Sequence, residues 1–225
     1  MTPIQAVLFD YGMVLSGPPD PVAWARMRTI SNLDEQQLHS GYWAHRHPYD
    51  RGDLTALAYW NQVGQDSGLQ LTPEQVDALI HADADLWSQL NLPMIHWAQA
   101  LQNARIRTGI LSNIGDAMAV GILARHPWLS RFDHCTWSYA LNLAKPEPAI
   151  YRHAAQSLNT PLTHILFIDD RADNIQAALD TGMQAIQYTD QPAFQRQMII
   201  RNLQYLLNPV PSGQSNSTNS QNGKI

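Results

Sequence analysis

Short runs of apolar residues that end in polar turn residues recur along the chain. The first is Ala6–Phe9, which Asp10 follows directly. A short apolar run that ends in a turn signal is typical of a strand buried on both faces of a sheet. The same pattern predicts further strands, two of them weaker, at 106–111, 134–139, 165–168 and 184–188. The chain therefore carries about five predicted strands.

Apolar residues with helical spacing lie between the later strands. Positions three or four apart are apolar around 95–101, 117–123, 150–158 and 175–179. Strands that alternate with helices indicate a parallel sheet with helices on its faces. The predicted fold is therefore α/β, a doubly wound, Rossmann-like parallel sheet of about five strands.

One long stretch breaks this alternation. Between residues 16 and 91 no strand pattern is convincing, whereas helical spacing is frequent. The clearest helix should begin at Thr72, which can cap it together with Gln75, with Pro73 in the first turn. One polar residue, Asp83, interrupts the apolar stripe of this helix. These patterns predict an α-helical cap inserted after the first strand.

The chain is expected to divide at two turn-rich segments, 16–21 and 91–93. We predict a catalytic core and a cap, followed by a tail. The core takes in 1–15 and 93–208, the helical cap 16–92, and the tail 209–225. The tail is rich in Ser, Asn, Gln and Gly and is expected to be disordered, because it has little apolar surface to bury.

Composition narrows the classes of function. The chain has 225 residues, a formal charge of −5 and a pI near 5.9, with no basic cluster. Binding to a nucleic-acid backbone needs clustered positive charge, so we expect no nucleic-acid partner. No segment has the pattern of a signal peptide or a membrane span, and Cys135 has no second cysteine to pair with. We therefore expect a cytoplasmic protein without a membrane partner, and its oligomeric state stays open.

Polar residues that suit one another follow the predicted strands. Asp10 ends the first strand, Ser112 the second, and Asp169 and Asp170 the fourth, while Lys145 lies in the loop after the third. In an open parallel sheet, ligands bind outside the carboxyl ends of the strands. Each residue alone has an ordinary explanation as a turn, a helix cap or a surface lysine. Their shared position at strand ends favours one common site.

The chemistry that this set can perform is phosphoryl transfer. Several carboxylates in one site repel one another unless a cation lies between them, and hard oxygen ligands favour Mg²⁺. Lys145 and Ser112 can bind phosphoryl oxygens. A carboxylate that is free to attack phosphorus gives an aspartyl-phosphate. We therefore predict Mg²⁺ as the cofactor.

Four stretches of the chain, 9–15, 111–113, 145–151 and 167–174, carry a family resemblance. In this order they resemble the motifs of haloacid dehalogenase (HAD) superfamily hydrolases with a helical cap. Within that superfamily the chain most resembles bacterial sugar-phosphate phosphatases of the glucose 1-phosphate type. The N-terminal phosphatase domain of soluble epoxide hydrolases is a further relative.

The resemblance implies a role for each residue of the metal site. It implies that Asp10 is the nucleophile and a metal ligand, and that the backbone carbonyl of Gly12 and the carboxylate of Asp170 are the other protein ligands. Asp169 is expected to assist the metal through a water molecule or the groups behind it.

The resemblance also implies which residues bind the phosphoryl group. These are Ser112, Asn113 through its backbone, and Lys145. It leaves Asp173 and Asn174 to cap and orient the helix that follows.

Gly12 departs from the family pattern. Most phosphatases of the superfamily have an acid at this position, which protonates the leaving oxygen, and such help is worth about 10²–10⁴-fold in rate. One hypothesis is that the leaving group is good enough without it, as the oxygen of an anomeric phosphate is. The other is that a cap side chain or the substrate supplies the proton.

The functional prediction is a Mg²⁺-dependent phosphatase that hydrolyses a small phosphorylated metabolite, with a sugar phosphate as one candidate. Two alternatives remain open. One is a metal-independent 2-haloacid dehalogenase, against which the paired acids argue. The other is a non-catalytic protein that binds a phosphorylated metabolite, because Gly12 lacks the acid. The cap residues His45, Arg46 and His47 either contact the substrate or lie at a solvated helix end.

Overall fold

The computed structural model describes residues 3–209. Five strands form one sheet in the order β3-β2-β1-β4-β5, and every neighbouring pair is parallel. The strands are β1 (Ala6–Phe9), β2 (Arg107–Ser112), β3 (His134–Trp137), β4 (Ile165–Asp169) and β5 (Gln184–Gln187). The predicted doubly wound parallel sheet of about five strands is confirmed.

Helices account for most of the remaining chain. They are α1 (Pro21–Ser31), α2 (Glu35–Ala44), α3 (Arg46–Arg51), α4 (Ala56–Asp66), α5 (Pro73–Leu86), α6 (Leu92–Asn103), α7 (Asp116–Arg125), α8 (Pro148–Ser157), α9 (Ala172–Asp180) and α10 (Gln191–Ile200). Within residues 3–209, no helix is long and apolar enough to cross a lipid bilayer.

Alternating side chains of the sheet supply two apolar cores. In β1, Val7 and Phe9 belong to the core on one face, and Ala6 and Leu8 to the core on the other. Successive side chains of a strand point to opposite faces, so a continuous apolar run requires both faces to be covered. The apolar run at 6–9 therefore marks the centre of the sheet.

The inserted helices α1–α5 pack around a separate core. Its largest fully buried members include Met27, Tyr42 and Trp60. The two connections to the sheet lie side by side: Ser16 forms an antiparallel bridge with Leu90. The division of the chain at residues 15/16 and 92/93 remains a prediction.

The first turn of α5 has the capping that the sequence predicts. The Thr72 side chain accepts from the backbone N–H of Gln75, the Gln75 side chain accepts from the N–H of Thr72, and Pro73 is in the first turn. This reciprocal arrangement satisfies two backbone donors that a helix start leaves free.

Two details differ from the prediction. The strand predicted at 134–139 ends at Trp137, because Ser138 turns away and its hydroxyl accepts from the N–H of Ile114. In α7 the apolar spacing at 117–123 does not mark the buried face, because Val120 and Leu123 are exposed, whereas Met118 is buried. The predicted tail lies outside the described residues except for residue 209.

Candidate active site

The register of the central strands places two carboxylates side by side. Phe9 of β1 is paired with Ile168 of β4, so the next residues, Asp10 and Asp169, are neighbours. The backbone N–H of Asp10 continues the pairing and donates to the carbonyl of Ile168 at 2.8 Å. Both residues lie at the carboxyl edge of the sheet, as predicted.

A tight turn follows Asp10 and holds its carboxylate. The N–H of Tyr11 donates to Oδ1 of Asp10 at 2.7 Å, and the N–H of Ser16 donates to the carbonyl of Tyr11 at 2.7 Å. Gly12 has φ −62° and ψ 133°, which any residue can adopt, whereas Met13 has φ 58°. A Cβ at Gly12 would have no heavy atom within 4 Å. Neither the backbone nor crowding therefore requires the glycine.

Lys145 joins the two strand-end carboxylates. Its Nζ lies 2.8 Å from Oδ2 of Asp10 and 2.7 Å from Oδ2 of Asp169, and its side chain is almost fully buried. Asn113 holds the lysine backbone from both sides: its Nδ2 donates to the Lys145 carbonyl at 2.9 Å, and its Oδ1 accepts from the Lys145 N–H at 2.8 Å. The Asn113 side chain therefore positions the lysine, a role that the sequence alone did not indicate.

Asp169 is fully buried, and its oxygens already have donors. Nδ2 of Asn174 lies 3.0 and 3.1 Å from its two oxygens, and the N–H of Arg171 donates to Oδ1 at 2.8 Å. Asp173 and Asn174 are expected to cap and orient the next helix; the Asn174 side chain does not cap it, because it holds Asp169 instead. Only its backbone N–H takes part in the helix start, where it donates to Oδ1 of Asp173 at 3.0 Å.

Three carboxylates converge at this edge. Asp10, Asp169 and Asp170 each offer an oxygen, and these oxygens lie within 4.8 Å of one another. Three acidic side chains face one ammonium group, so the site has excess negative charge when all are ionised. An oxygen-rich, negatively charged cluster of this kind fits a hard divalent cation. The donor set therefore suits magnesium.

Burial and mutual repulsion shape the ionisation of the cluster. Burial raises the pKa of Asp10 to about 7; Lys145 lowers it, and the neighbouring Asp169 and Asp170 raise it. Burial and Asp169 also raise the pKa of Asp170. Burial alone would lower the pKa of Lys145, but Asp10 and Asp169 hold it above its ordinary value. A bound cation would favour the ionised carboxylates.

The cluster opens into a cavity of about 570 Å³ between the sheet and the inserted helices. The predicted site residues on its wall are Asp10, Gly12, Ser112, Asn113, Lys145 and Asp170. Asp169 lies behind this wall, without exposed surface. A cavity of this size is typical of sites for small molecules.

The cap contributes a buried ionic network to the same cavity. Nη1 of Arg46 lies 3.0 Å from Oδ2 of Asp83, and its Nε lies 2.9 Å from Oδ1 of Asp50. Tyr42 donates to Oδ1 of Asp83 at 2.8 Å. The alternative of a solvated helix end is wrong for Arg46, which is buried. The polar interruption of the α5 stripe at Asp83 is explained by this arginine.

The sequence did not single out Asp50 or Tyr42 of this network. Asp50 pairs with Arg46, and the Tyr42 hydroxyl pairs with Asp83, which is 41 residues away along the chain. Its position inside an apolar stripe was the one sign that a buried cation lay nearby.

The fold and the site define a capped α/β protein with a carboxylate–lysine cluster at the ends of its strands. A family model described as haloacid dehalogenase-like hydrolase matches residues 24–182. The chain belongs to this family of hydrolases.

Curated relatives of the chain have different names. Drimenol cyclase of Aspergillus calidoustus is 25% identical over 87% of this chain, and bifunctional epoxide hydrolase 2 of Sus scrofa is 26% identical over 83%. The matched regions are 36% and 37% of those proteins, so the chain spans little more than a third of their length. Sesquiterpene phosphatase of Aspergillus oryzae is 23% identical, over 84% of this chain and 92% of its own length.

Solved structures share the fold. A HAD family enzyme from Bacteroides thetaiotaomicron superposes with a TM-score of 0.72 at 17% identity, covering 88% of this chain and 99% of that one. The same enzyme has been crystallised with magnesium and inorganic phosphate; that structure has a TM-score of 0.67 at 19% identity and covers 83% and 94% of the two chains. L-2-haloacid dehalogenase from Xanthobacter autotrophicus has a TM-score of 0.63 at 19% identity, with 87% and 82% covered.

Proposed function

We propose that the protein is a magnesium-dependent phosphatase that hydrolyses a small phosphate monoester through an aspartyl-phosphate on Asp10. The observation that carries this proposal is the convergence of three carboxylates and one buried lysine at the edge of the sheet. The magnesium and phosphate bound by the Bacteroides enzyme and the name of the Aspergillus oryzae relative support it.

Asp10, the Gly12 carbonyl and Asp170 would hold the metal. Asp169 contributes less directly, because Lys145, Asn174 and the Arg171 N–H occupy its oxygens. When bound, Mg²⁺ supplies positive charge that offsets the carboxylates and the phosphoryl oxygens.

The reaction has two displacements at phosphorus. An oxygen of the Asp10 carboxylate forms a bond to phosphorus while the ester P–O bond breaks, and the departing alcohol takes up a proton. Water then attacks the phosphorus of the aspartyl-phosphate, and the bond between phosphorus and the Asp10 oxygen breaks. The hydroxyl of the water stays on phosphorus, its other proton replaces the one that the alcohol took up, and inorganic phosphate leaves as the Asp10 carboxylate is restored. Lys145, the hydroxyl of Ser112 and the backbone of Asn113 bind the phosphoryl oxygens in both steps.

The missing acid at Gly12 bears on the leaving group. A general acid contributes about 10²–10⁴-fold, so this site suits an alcohol that leaves easily or one that finds its proton elsewhere. A sugar 1-phosphate meets the first condition, because an anomeric hydroxyl is more acidic than an ordinary alcohol.

A screen of phosphorylated metabolites with Mg²⁺ tests the proposal. We expect phosphate release that a chelator abolishes and that Asp10→Asn reduces to background. Asp180→Asn, an exposed carboxylate on α9, is the matched control and should retain full turnover. Full turnover by Asp10→Asn would contradict the role of this residue.

A parallel assay separates the dehalogenase alternative. Chloride release from 2-chloropropionate in the presence of a chelator, without phosphate release from any substrate, would favour carbon–halogen hydrolysis instead. We expect no chloride release. The three clustered carboxylates suit a metal ion, and carbon–halogen hydrolysis of this kind needs no metal.

A further inference from the structure

Apolar side chains form part of the cavity lining, beside the polar groups already described. They include Met13, Trp43, Trp87, Met118 and Ile122, which are called the apolar wall below. Trp43 is 47% exposed although it is a large aromatic side chain. The indole N–H of Trp87 donates to the hydroxyl of Tyr42 at 3.0 Å, so Trp87 offers ring surface rather than a donor to the cavity. Apolar side chains that line a cavity gain free energy when a ligand covers them.

Met13 is the most informative residue of this wall. Its φ of 58° lies in the left-handed region, which favours glycine, and its side chain is 38% exposed. Within residues 3–209, the other non-glycine residues with positive φ are four asparagines, which tolerate this conformation, and Arg105. The left-handed backbone at Met13 costs folding free energy, and its half-exposed side chain is part of the cavity lining. A ligand that contacts Met13 would give both features a use.

The cap offers no uncompensated positive charge to a ligand. Arg46 faces two carboxylates, Asp50 and Asp83, which together exceed its single charge when both are ionised. The other basic cap residue on the cavity wall, His47, is close enough to Glu147 to interact with it electrostatically. A second anionic group on the substrate would therefore meet no free cation on the cap side.

On the sheet side, the basic residues that line the cavity also pair with carboxylates. Arg171 lines the cavity, but its Nη2 lies 2.7 Å from Oδ2 of Asp173. Lys145 lies between Asp10 and Asp169 at the phosphoryl end. The cavity therefore combines one anion-binding end, at Lys145, with apolar side chains and with charged side chains whose cations already face carboxylates.

The geometry points to a phosphate monoester of an apolar alcohol, a hydrocarbon group without a second charge, as the class of substrate. This inference rests on the proposed function, because the phosphate is placed at the carboxylate–lysine cluster. The hydrocarbon would lie along Met13, Trp43 and Trp87. It differs from a sugar phosphate, whose many hydroxyl groups gain no polar partner from Met13 or from the ring of Trp87. A hydrocarbon alcohol does not leave easily, so this class of substrate meets the second condition given above and takes its proton from elsewhere than residue 12.

Binding of alkylphosphonates tests the inference without relying on turnover, since the P–C bond is not hydrolysed. Methyl-, butyl- and octylphosphonate, together with a phosphonate analogue of a hexose 1-phosphate, are titrated by calorimetry into the full chain with Mg²⁺. We expect affinity to rise about two- to fourfold for each methylene that becomes buried, and the sugar analogue to bind no more tightly than methylphosphonate.

The outcomes separate the two claims. Affinity that does not change with the length of the alkyl group, or that is highest for the sugar analogue, would overturn the apolar substrate class while leaving a phosphate site in place. Failure of every phosphonate to bind, methylphosphonate included, would contradict the proposed phosphate site and the inference together.

Met13→Gly gives a matched test within the chain. It relieves the left-handed backbone, so the thermal midpoint should not fall, but it removes apolar wall. We expect octylphosphonate affinity to decrease about tenfold and methylphosphonate affinity to stay unchanged. Arg105→Gly is the control: its φ of 60° is relieved in the same way on an exposed residue outside the cavity, so affinity should not change.

Trp43→Ala supplies a second variant on the cap side of the wall. The residue is half-exposed, so the cap should still fold. A selective loss for octylphosphonate supports the inference. Equal losses for octyl- and methylphosphonate in both the Met13 and Trp43 variants would overturn it.

Discussion

At the scale of single residues, Gly12 bears on how the leaving group would be protonated. The proposed function gives the site a nucleophile, a lysine and carboxylates that would bind a metal, but the turn after Asp10 carries no acid. The backbone at Gly12 is ordinary and the space around its Cβ is open. The chemistry at this position can therefore be changed without disturbing the turn.

Gly12→Asp should add the missing acid. We expect kcat for a primary alkyl phosphate to rise at least about tenfold, less than the full worth of a well-placed general acid. For p-nitrophenyl phosphate, whose leaving group needs no proton, the gain should be small. Gly12→Asn is the matched control, since asparagine has nearly the same size as aspartic acid but no carboxylic proton. Equal gains on both substrates would contradict this account of Gly12.

Asn113 illustrates a positioning residue. Its amide makes two hydrogen bonds to the backbone of Lys145, so Asn113→Ala leaves a buried N–H and a carbonyl without these partners. We expect a loss of about 1–3 kcal/mol in unfolding free energy and a lower kcat. Asn103→Ala, on the exposed end of α6, should change neither by a comparable amount. Denaturant unfolding and steady-state kinetics measure both, and a variant with normal kcat would refute the positioning role.

Much of this site could be predicted residue by residue, because β1, β2 and β4 each lead into a polar side chain. Asp10, Ser112 and Asp169 follow apolar runs, and parallel pairing brings such ends together. The hydrogen bonds of Asn113 and Asn174 could not be predicted. They depend on how loops turn after the strands, which no periodic pattern records.

At the scale of elements, α3 and α5 share the buried network around Arg46. The apolar spacing predicted α5, and Thr72, Pro73 and Gln75 predicted the capping of its N-terminus. It did not predict that α3 would supply Arg46 and Asp50 to face Asp83, because contacts between helices depend on tertiary packing.

The network makes stability depend on pH. Burial raises the pKa of Asp50 to about 6 from 3.8, although Arg46 lowers it. Between these values the folded protein retains a proton that the unfolded chain has lost, so unfolding free energy falls as pH rises from about 4 to about 6 and then levels.

Asp50→Asn removes this titration. Relative to the unsubstituted protein, the variant should gain up to about 3 kcal/mol as pH rises through this interval. Denaturant unfolding of both proteins at several pH values measures the difference between them. A difference that stays constant from pH 4 to pH 6 would contradict the raised pKa.

At the scale of the whole molecule, the cap rests on the sheet domain through close contacts of α5 with α7. A Cβ built at Gly121 of α7 would lie 2.7 Å from Cβ of Ala84, closer than real atoms approach. Nε of Arg125 on α7 donates to Oδ1 of Asp85 on α5 at 2.6 Å. The cavity depends on this seating, because its wall takes residues from both sides.

Gly121→Val should separate the two helices. We expect a loss of about 1–3 kcal/mol in unfolding free energy from overpacking, and a lower kcat because the cap wall of the cavity is displaced. Ala124→Val adds a β-branched residue to the same helix at an exposed position and should alter both far less. Unchanged stability and turnover in Gly121→Val would show that α5 and α7 are not held at this distance.

The central claim is that Asp10 takes the phosphoryl group during turnover. The most direct measurement is peptide mass spectrometry of the protein acid-quenched within a single turnover, with Mg²⁺ and a hydrolysed phosphate monoester. We expect one added phosphoryl group on Asp10, absent without Mg²⁺ and absent in Asp10→Asn. Phosphate release at full rate with no phosphoryl group on Asp10, or with the group on another residue, would contradict the account.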